Sequence, residues 1–290
     1  MKTGWLIVNH FLASKKFKEH YNWLQKAAEK VDISLVLKTG AALLNEISHG
    51  FLSPQPLPDF VLFWDKDVRL ATALENMGLR VFNSARSISL CDDKSMTHLA
   101  LAGKVPMPKT ICAPMTYPSV GYNDLSFVKQ ATEALGLPMV IKECFGSFGS
   151  QVYLANTLQE AEKLAVKLAG TPFIMQEFIH SSIGRDIRLQ VVGDRVVAAM
   201  FRYNDRGDFR ANITNGGKMK PYVPTPAQVE LALSACRIVG LDFAGVDFLF
   251  GENNEPILCE INSNAHFKNL YDCTGINAAE AILSYIAKEI

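Results

Sequence analysis

Two carboxylates and a carboxamide fall close together near the C-terminal end: Asp247, Glu260 and Asn262, in the stretch FAGVDFLFGENNEPILCEINSNAHF. Residues 245–250 and 256–261 are strand-like runs joined by the turn-rich Gly251-Glu252-Asn253-Asn254, which is a hairpin pattern. Side chains alternate between the faces of a strand. Glu260 and Asn262 therefore share one face, and the antiparallel partner can bring Asp247 beside them. Three oxygen donors of this kind suit a hard cation such as Mg²⁺ better than zinc. The same residues also fit a hairpin with an acidic turn and two solvent-facing acids, and alone they leave both readings open.

Lys142 precedes the glycine-rich FGSFGS at residues 145–150. Backbone amides of a glycine loop can approach a phosphate closely, because no side chain intervenes. The P-loop pattern is absent: the lysine comes before the glycines and a strand follows where a helix would be required. A strand, glycine loop and strand look like a flap over a nucleotide triphosphate, or like an ordinary hairpin with Lys142 in solvent. Gln176, Glu177, Phe178 and Ile179 alternate polar and apolar groups at a strand end, where a backbone edge could read an adenine and a carboxylate could take ribose hydroxyls. Asp186, Arg188, Arg202, Arg210 and Asn212 lie within 27 residues on neighbouring strands and loops. Converging arginines suit phosphate or carboxylate through paired hydrogen bonds, while surface pairing with Asp186, Asp205 and Asp208 is the alternative. His266 follows the candidate metal residues. The remaining histidines show no HExxH spacing, and no nucleophile elbow is present.

These residues need a scaffold. An apolar run at 5–9, an amphipathic pattern at 16–30 with Phe17, Tyr21, Leu24 and Ala28 in one stripe, and a run at 33–38 predict a βαβ unit. Further strands at 59–64 and 80–83, with a helix over 67–77 ending at Gly78, complete a small parallel α/β lobe whose charged residues read as solvated faces. A helix is expected at 92–101, then an extended Lys104-Val105-Pro106-Met107-Pro108. A second lobe follows, with a helix near 125–135, strands at Met139–Glu143 and 151–155, and a helix over 157–168 opened by a Thr157/Glu160 capping box. A strand at 173–178 and a hairpin of 186–192 with 195–202 come next. Thr225, Pro226 and Gln228 open a helix that Gly240 closes, and residues 271–290 end in a surface helix.

Composition bounds the function. Of 290 residues, 49% are hydrophobic and 20% charged, as in a globular protein and unlike a disordered chain. Lys plus Arg and Asp plus Glu both number 29, so nothing advertises nucleic acid or an anionic membrane as partner. Six irregularly spaced cysteines without a CxxC pair fit reduced thiols. The opening apolar run is too short for a signal sequence, and the expected location is the cytoplasm.

Taken in order, Lys94 in CDDKSMT, PKT at 108–110, Lys142 before GSFG, Gln176 to Ile179, GRDIR at 184–188, VVGDRVVAAMFR at 191–202, GDFRANIT at 207–214, GLDFAGVDFLF and EIN resemble the ATP-grasp superfamily. The resemblance is to its RimK-type carboxylate–amine (alpha-L-glutamate) ligases, and it is densest between residues 139 and 264. It implies an α/β, three-lobed ATP-grasp fold: an N-terminal lobe at 1–90, a central one with the glycine flap at 91–175, and a C-terminal one with the metal site at 176–290. ATP would lie between the last two. Carried over by residue, Lys94 and Lys142 would contact phosphates beneath the flap of Gly146, Ser147 and Gly149. Gln176, Glu177, Phe178, Ile179 and Asp186 would line the nucleotide site, while Asp247, Glu260 and Asn262 would bind Mg²⁺, with Mn²⁺ as a substitute. Arg188, Arg202, Arg210 and Asn212 would face the transferred phosphoryl group and the acyl substrate.

The implied reaction transfers the γ-phosphoryl of ATP to a carboxylate, which an amine then attacks. The expected partners are ATP, a carboxylate such as glutamate, and an amine on an amino acid, peptide or carrier protein, with no nucleic acid, no membrane and a possible homo-oligomer. A nucleotide-binding module that has lost its chemistry is the alternative. Replacing Asp247 or Glu260 with Ala is expected to abolish turnover and leave a folded protein. Two departures from the family pattern stand out. Phe148 occupies a polar position of the flap, and residues 264–269 replace the usual Pro-Gly turn after Asn262. Phe267-Lys268-Asn269 is similar to the carrier-protein amino acid ligases of lysine or arginine biosynthesis, so substrate choice is expected in that segment.

Overall fold

A computed structural model of the chain describes residues 1–12, 14–53, 55–147, 149–213 and 216–290. Its first part is built on apolar runs. Strands β1 (Lys2–Val8), β2 (Ile33–Thr39), β5 (Phe60–Trp64) and β6 (Arg80–Phe82) form a parallel sheet in the order β2-β1-β5-β6, with α1 (Lys15–Glu29) and α2 (Val68–Asn76) as crossovers and a small hairpin of β3 (Asn45–Glu46) and β4 (Gly50–Phe51) between them. Every residue of β5 is buried, as a central parallel strand covered on both faces requires. Asp67 caps α2 by accepting from the Arg69 and Leu70 amides, and Gly78 just past its end has φ of +82°.

Two consecutive helices, α3 (Ala85–Asp92) and α4 (Lys94–Leu101), lead out of this sheet. Only a single helix over 92–101 was expected; instead Asp93 interrupts the run and turns its carboxylate to the Ser95 and Met96 amides, so the second helix starts afresh. The second sheet is antiparallel, in the order β7-β10-β8-β9, and combines β7 (Thr110–Cys112), β8 (Met139–Glu143), β9 (Val152–Ala155) and β10 (Phe173–Glu177) with α5 (Ser126–Leu135) and α6 (Leu158–Lys167). Thr157 accepts from the Glu160 amide, but the Glu160 carboxylate takes the Asn156 amide (2.7 Å), so half of the expected capping box forms.

The third sheet, antiparallel, carries the chemistry-bearing strands. Its order is β13-β12-β11-β14-β15: β11 (Arg185–Val192), β12 (Arg195–Tyr203), β13 (Lys218–Pro221), β14 (Phe243–Phe250) and β15 (Pro256–Asn262). Helix α7 (Pro226–Val239) packs on it, opened by a complete Thr225/Gln228 capping box and closed by Gly240 at φ of +83°. The chain ends in α8 (Lys268–Thr274) and α9 (Ala278–Glu289). This is a correction to the expected surface helix. Ala278, Ala279, Ile282, Leu283 and Ile286 are buried in one core with Leu6, Phe60 and Phe243, and Lys30 of the first lobe pairs with Glu280 at 2.6 Å. The apolar stripe was visible in the sequence, but its partner lies in a lobe some 250 residues away. Asn83 fixes the same junction. Its amide donates to the carbonyls of Phe243 and Ser263 and accepts from the amides of Asp242 and Phe243, which uses its full hydrogen-bonding capacity inside the core. No helix among the described residues is long and apolar enough to cross a membrane.

Candidate active site

A cleft of about 580 Å³ runs between the sheets, and every described residue named above as a site candidate, from Lys94 to Asn262, borders it together with His266. Phe148 and Thr214 lie outside the described residues. Sequence order alone does not bring these side chains together; strand register does.

On β11, Asp186 and Arg188 point to one face. Asp186 stands opposite Arg202 on β12, and Arg188 opposite Asp247 on β14. Each pair is bidentate: Arg202 Nε and Nη2 donate to Asp186 at 2.6 and 2.8 Å, and Arg188 Nε and Nη2 donate to Asp247 at 2.7 and 2.6 Å. Arg202 Nη2 also reaches Asp247 Oδ2 at 3.0 Å. Burial alone would raise the Asp247 pKa, but the guanidinium groups of Arg188 and Arg202 outweigh it and hold the carboxyl below its ordinary value. Burial likewise works against the Arg202 charge, yet Asp186 and Asp247 lift its pKa above normal. The result is a four-membered, charge-balanced network at the floor of the cleft. Both arginines spend Nε and Nη2 on carboxylates, and Nη1 of each has no partner among the described residues.

The candidate metal residues adjoin this network. Asp247 faces Glu260 across β14 and β15, and Asn262 faces Gly245 two residues on. The pairing slips beyond that point, so that Phe248 meets Leu258 and Cys259 is an extra, bulged residue. The bulge puts Cys259 as well as Glu260 on the cleft wall. Asp247 takes three arginine contacts, which leaves one lone-pair position of its carboxylate open. Glu260 makes no hydrogen bond or ion pair with a described residue, and the Asn262 carboxamide nitrogen is buried without a partner. Amide nitrogen and oxygen exchange places by a simple flip, so this orphaned group fits an oxygen ligand turned to a cation. Among the described residues no group of three or more His, Cys, Asp or Glu side chains is arranged to hold a metal ion by itself. Two carboxylates and one carboxamide are a partial, hard-oxygen set, which suits Mg²⁺ completed by substrate phosphates and water.

Above the floor lie two lysines. Lys142, 8% exposed, has only the Cys259 sulfur within reach of its ammonium, at 3.9 Å. Lys94 Nζ reaches the carbonyls of Cys144 and Gly146 at 3.4 and 3.5 Å. Neither pairs with a described carboxylate. Burial lowers the Lys94 pKa; Glu260 opposes that and Lys142 adds to it. An ammonium group withdrawn from water without a carboxylate partner, fully at Lys142 and in part at Lys94, is costly, and an anion entering the cleft relieves that cost.

The glycine loop roofs this space. Gly146 and Gly149 have φ of +138° and +73°, values that side-chain-bearing residues rarely adopt. The loop is tied on both sides: Lys66 Nζ donates to Ser147 Oγ at 3.3 Å, and Arg210 Nη1 donates to the Gly149 carbonyl at 2.8 Å. Arg210 is itself braced by Asp208 through Nε and Nη2. Arg210 thus acts on the flap. Replacing it with Ala is expected to speed hydrogen exchange across residues 146–152 while the exchange of β11 and β14 stays unchanged; equal protection of the loop in both proteins contradicts the latch.

At the far wall, Gln176 is buried and donates to Thr110 Oγ1 at 2.8 Å, and the Glu177 carboxylate accepts the Lys109 amide at 2.7 Å. Phe178 meets His180 and Phe209 edge to face. These contacts join the second sheet to the loop carrying Arg210. The sequence reading missed the first lobe's share. Asn9, read as the end of the first strand, and Asp65 and Lys66, read among solvated charges, border the cleft. The available signal was position: Asn9 and Asp65 directly follow strands of a parallel sheet, where ligands of α/β folds gather.

Relatives and solved structures give the family and the fold. The RimK-like ATP-grasp domain matches residues 91–286. A "probable alpha-L-glutamate ligase" of Legionella pneumophila is 37% identical over 226 residues, 74% of this chain and 70% of that protein. A RimK domain ATP-grasp protein from Sphaerobacter thermophilus has a similar fold, with a TM-score of 0.74 at 18% identity over 98% of this chain and 99% of that one. The ATP-grasp ligase PsnB, solved with a phosphomimetic variant of its minimal precursor, Mg and ADP, superposes at a TM-score of 0.73 and 15% identity over 100% of both chains. The chain has the ATP-grasp fold and belongs to the RimK-like ATP-grasp family of ligases.

Proposed function

We propose that the cleft binds ATP with Mg²⁺ and joins a carboxylate to an amine through an acyl phosphate, releasing ADP and phosphate. One observation carries this reading: Lys142, buried, and Lys94, half-buried, both without carboxylate partners, face the hard-oxygen hairpin beneath a glycine roof. Polyphosphate, carboxylate and developing oxyanion must be neutralised in one place, and no covalent nucleophile is needed. Asp247, Glu260 and Asn262 would hold Mg²⁺, which supplies charge neutralisation and alignment at the phosphates. Lys94 and Lys142 bind the phosphates, and the backbone amides of Gly146, Ser147 and Gly149 cover them and keep water from the acyl phosphate. Glu177, Phe178 and Ile179 line the base and ribose with Gln176 behind them, and Asp186 sets Arg202. Arg188 and Arg202, oriented by their carboxylates, offer Nη1 to the phosphoryl group in transfer, while Arg210 and Asn212 hold the flap side. The lobes acting in this way are residues 1–90, 91–175 and 176–290.

Glutamate as one substrate is supported by the name of the Legionella relative. A panel of amino acids and short peptides incubated with ATP and Mg²⁺, followed by mass spectrometry, tests the reading. The expected products are ADP and an amide heavier than its acceptor by one acyl residue. ADP release absent for every pair would overturn it in favour of a nucleotide-binding module without chemistry.

A further inference from the structure

Six acidic residues border the cleft, and five are accounted for. Asp92 pairs with Lys66, Asp186 and Asp247 with arginines, Glu177 with the Lys109 amide, and Glu260 belongs to the candidate metal group. Asp65 is the remaining one. It directly follows β5, and Asn9 directly follows the neighbouring β1, whose last residue Val8 pairs with Trp64. The two side chains therefore emerge together from the carboxyl edge of the parallel sheet, and Asn9 Nδ2 donates to Asp65 Oδ1 at 3.3 Å. The Lys66 amide donates to the same oxygen at 2.7 Å. Oδ2 has no partner among the described residues, and no cation pairs with the half-buried carboxylate. A carboxylate so placed is one positive charge short.

The site is joined to the chemistry. Asn264 Nδ2 donates to the Asp65 carbonyl at 2.5 Å, and Asn264 is two residues beyond Asn262, a span of about 7 Å at most. Trp64, Phe17 and His266 wall the same compartment. The charged and titratable groups that act on Asp65 are Lys66 and Asp67 from its own loop and Tyr21 from α1; His266, with His20 packed on it and on Trp64 and with Lys16 and Arg188 acting on it, lines the same compartment. Burial, ahead of the hydrogen bonds that oppose it, raises the Asp65 pKa and makes it a better proton acceptor near neutral pH than an exposed carboxylate.

Resting on the ligase reading above, we propose that Asp65, positioned by Asn9, binds the ammonium group of the amine substrate and accepts one of its protons as the carbon–nitrogen bond forms. The freed lone pair attacks the carbonyl carbon of the acyl phosphate. The bond from that carbon to the phosphate oxygen breaks, and its electrons leave with phosphate. Of the three ammonium protons, one passes to Asp65 and on to solvent, one leaves with phosphate, and one stays on the amide.

Activation and coupling separate experimentally, because hydroxylamine is largely uncharged near neutral pH and traps an acyl phosphate without a base. Wild type and Asp65→Asn are compared with ATP, Mg²⁺ and mixed amino acids, with and without hydroxylamine. Asp65→Asn is expected to form hydroxamate and ADP within a few-fold of wild type, while amide formation near neutral pH falls about 10²-fold or more. The deficit should shrink above about pH 8, where α-amines lose the proton unaided. Amide formation at the wild-type rate and pH profile, or equal loss of hydroxamate and amide in a folded variant, overturns the role of Asp65. No hydroxamate from wild type with any carboxylate overturns the ligase reading and this role with it. Should Asp65→Asn not fold, Asn9→Ala removes a donor to the carboxylate and is expected to move the acid limb of amide formation to higher pH; an unmoved limb contradicts the proposal.

Discussion

Lys142→Met is expected to cut ATP turnover by about 10²–10³-fold while the melting temperature stays level or rises. The two halves of this result come from one fact. An ammonium group at 8% exposure whose hydrogen-bond partner among the described residues is a thiol sulfur at 3.9 Å costs free energy without an anion beside it. Methionine keeps the length and apolar stem, removes that cost, and removes the charge that phosphates would meet. A residue retained only for packing would show the reverse pattern, with lost stability and intact turnover. Turnover within a few-fold of wild type, measured as ADP release beside a thermal melt, would show that the lysine is not a phosphate ligand.

Asp247 and Glu260 are expected to respond differently, although the sequence placed them in one role. Asp247→Asn leaves Arg188 and Arg202 facing a neutral amide in the core, so it should cost about 3–5 kcal/mol of stability in addition to turnover. Glu260 has no protein partner among the described residues, and Glu260→Gln should abolish Mg²⁺-dependent turnover with a change in stability within about 0.5 kcal/mol. The expectation that either substitution spares the fold is therefore restricted to Glu260. A pH signature accompanies the contrast. Because the folded Asp247 pKa lies below its unfolded value, its stabilisation is fully present above the unfolded value of about 3.9 and is lost as pH falls through the folded one. Chemical denaturation of wild type and Asp247→Asn should converge in that acid range. Equal stability of the two at neutral pH would refute the network as described.

The hairpin of Asp247, Glu260 and Asn262 was legible because period-two patterning and a turn-rich connection fix which residues share a face. Cys259 was not, because a bulge breaks that period and leaves no mark in composition. Lys142 before the glycines was readable as a flap sequence, whereas the partners of Arg188 and Arg202 depend on which strands β11 lies between. Arg210 was assigned to the substrate by its neighbours in sequence, but in space it holds the Gly149 carbonyl. The least legible contributions come from the first lobe. Asp65, Lys66 and Asn9 enter the cleft only because α9 and Asn83 dock that lobe on the third sheet, through contacts 160 or more residues apart.

The central claim is that this cleft makes an acyl phosphate. Amino acid carboxylates labelled with oxygen-18, incubated with the protein, ATP and Mg²⁺, test it most directly through the mass of the released phosphate. Transfer of one labelled oxygen to phosphate in each turnover, with ADP as the nucleotide product, is the predicted result. Unlabelled phosphate, or label recovered in AMP, would contradict it.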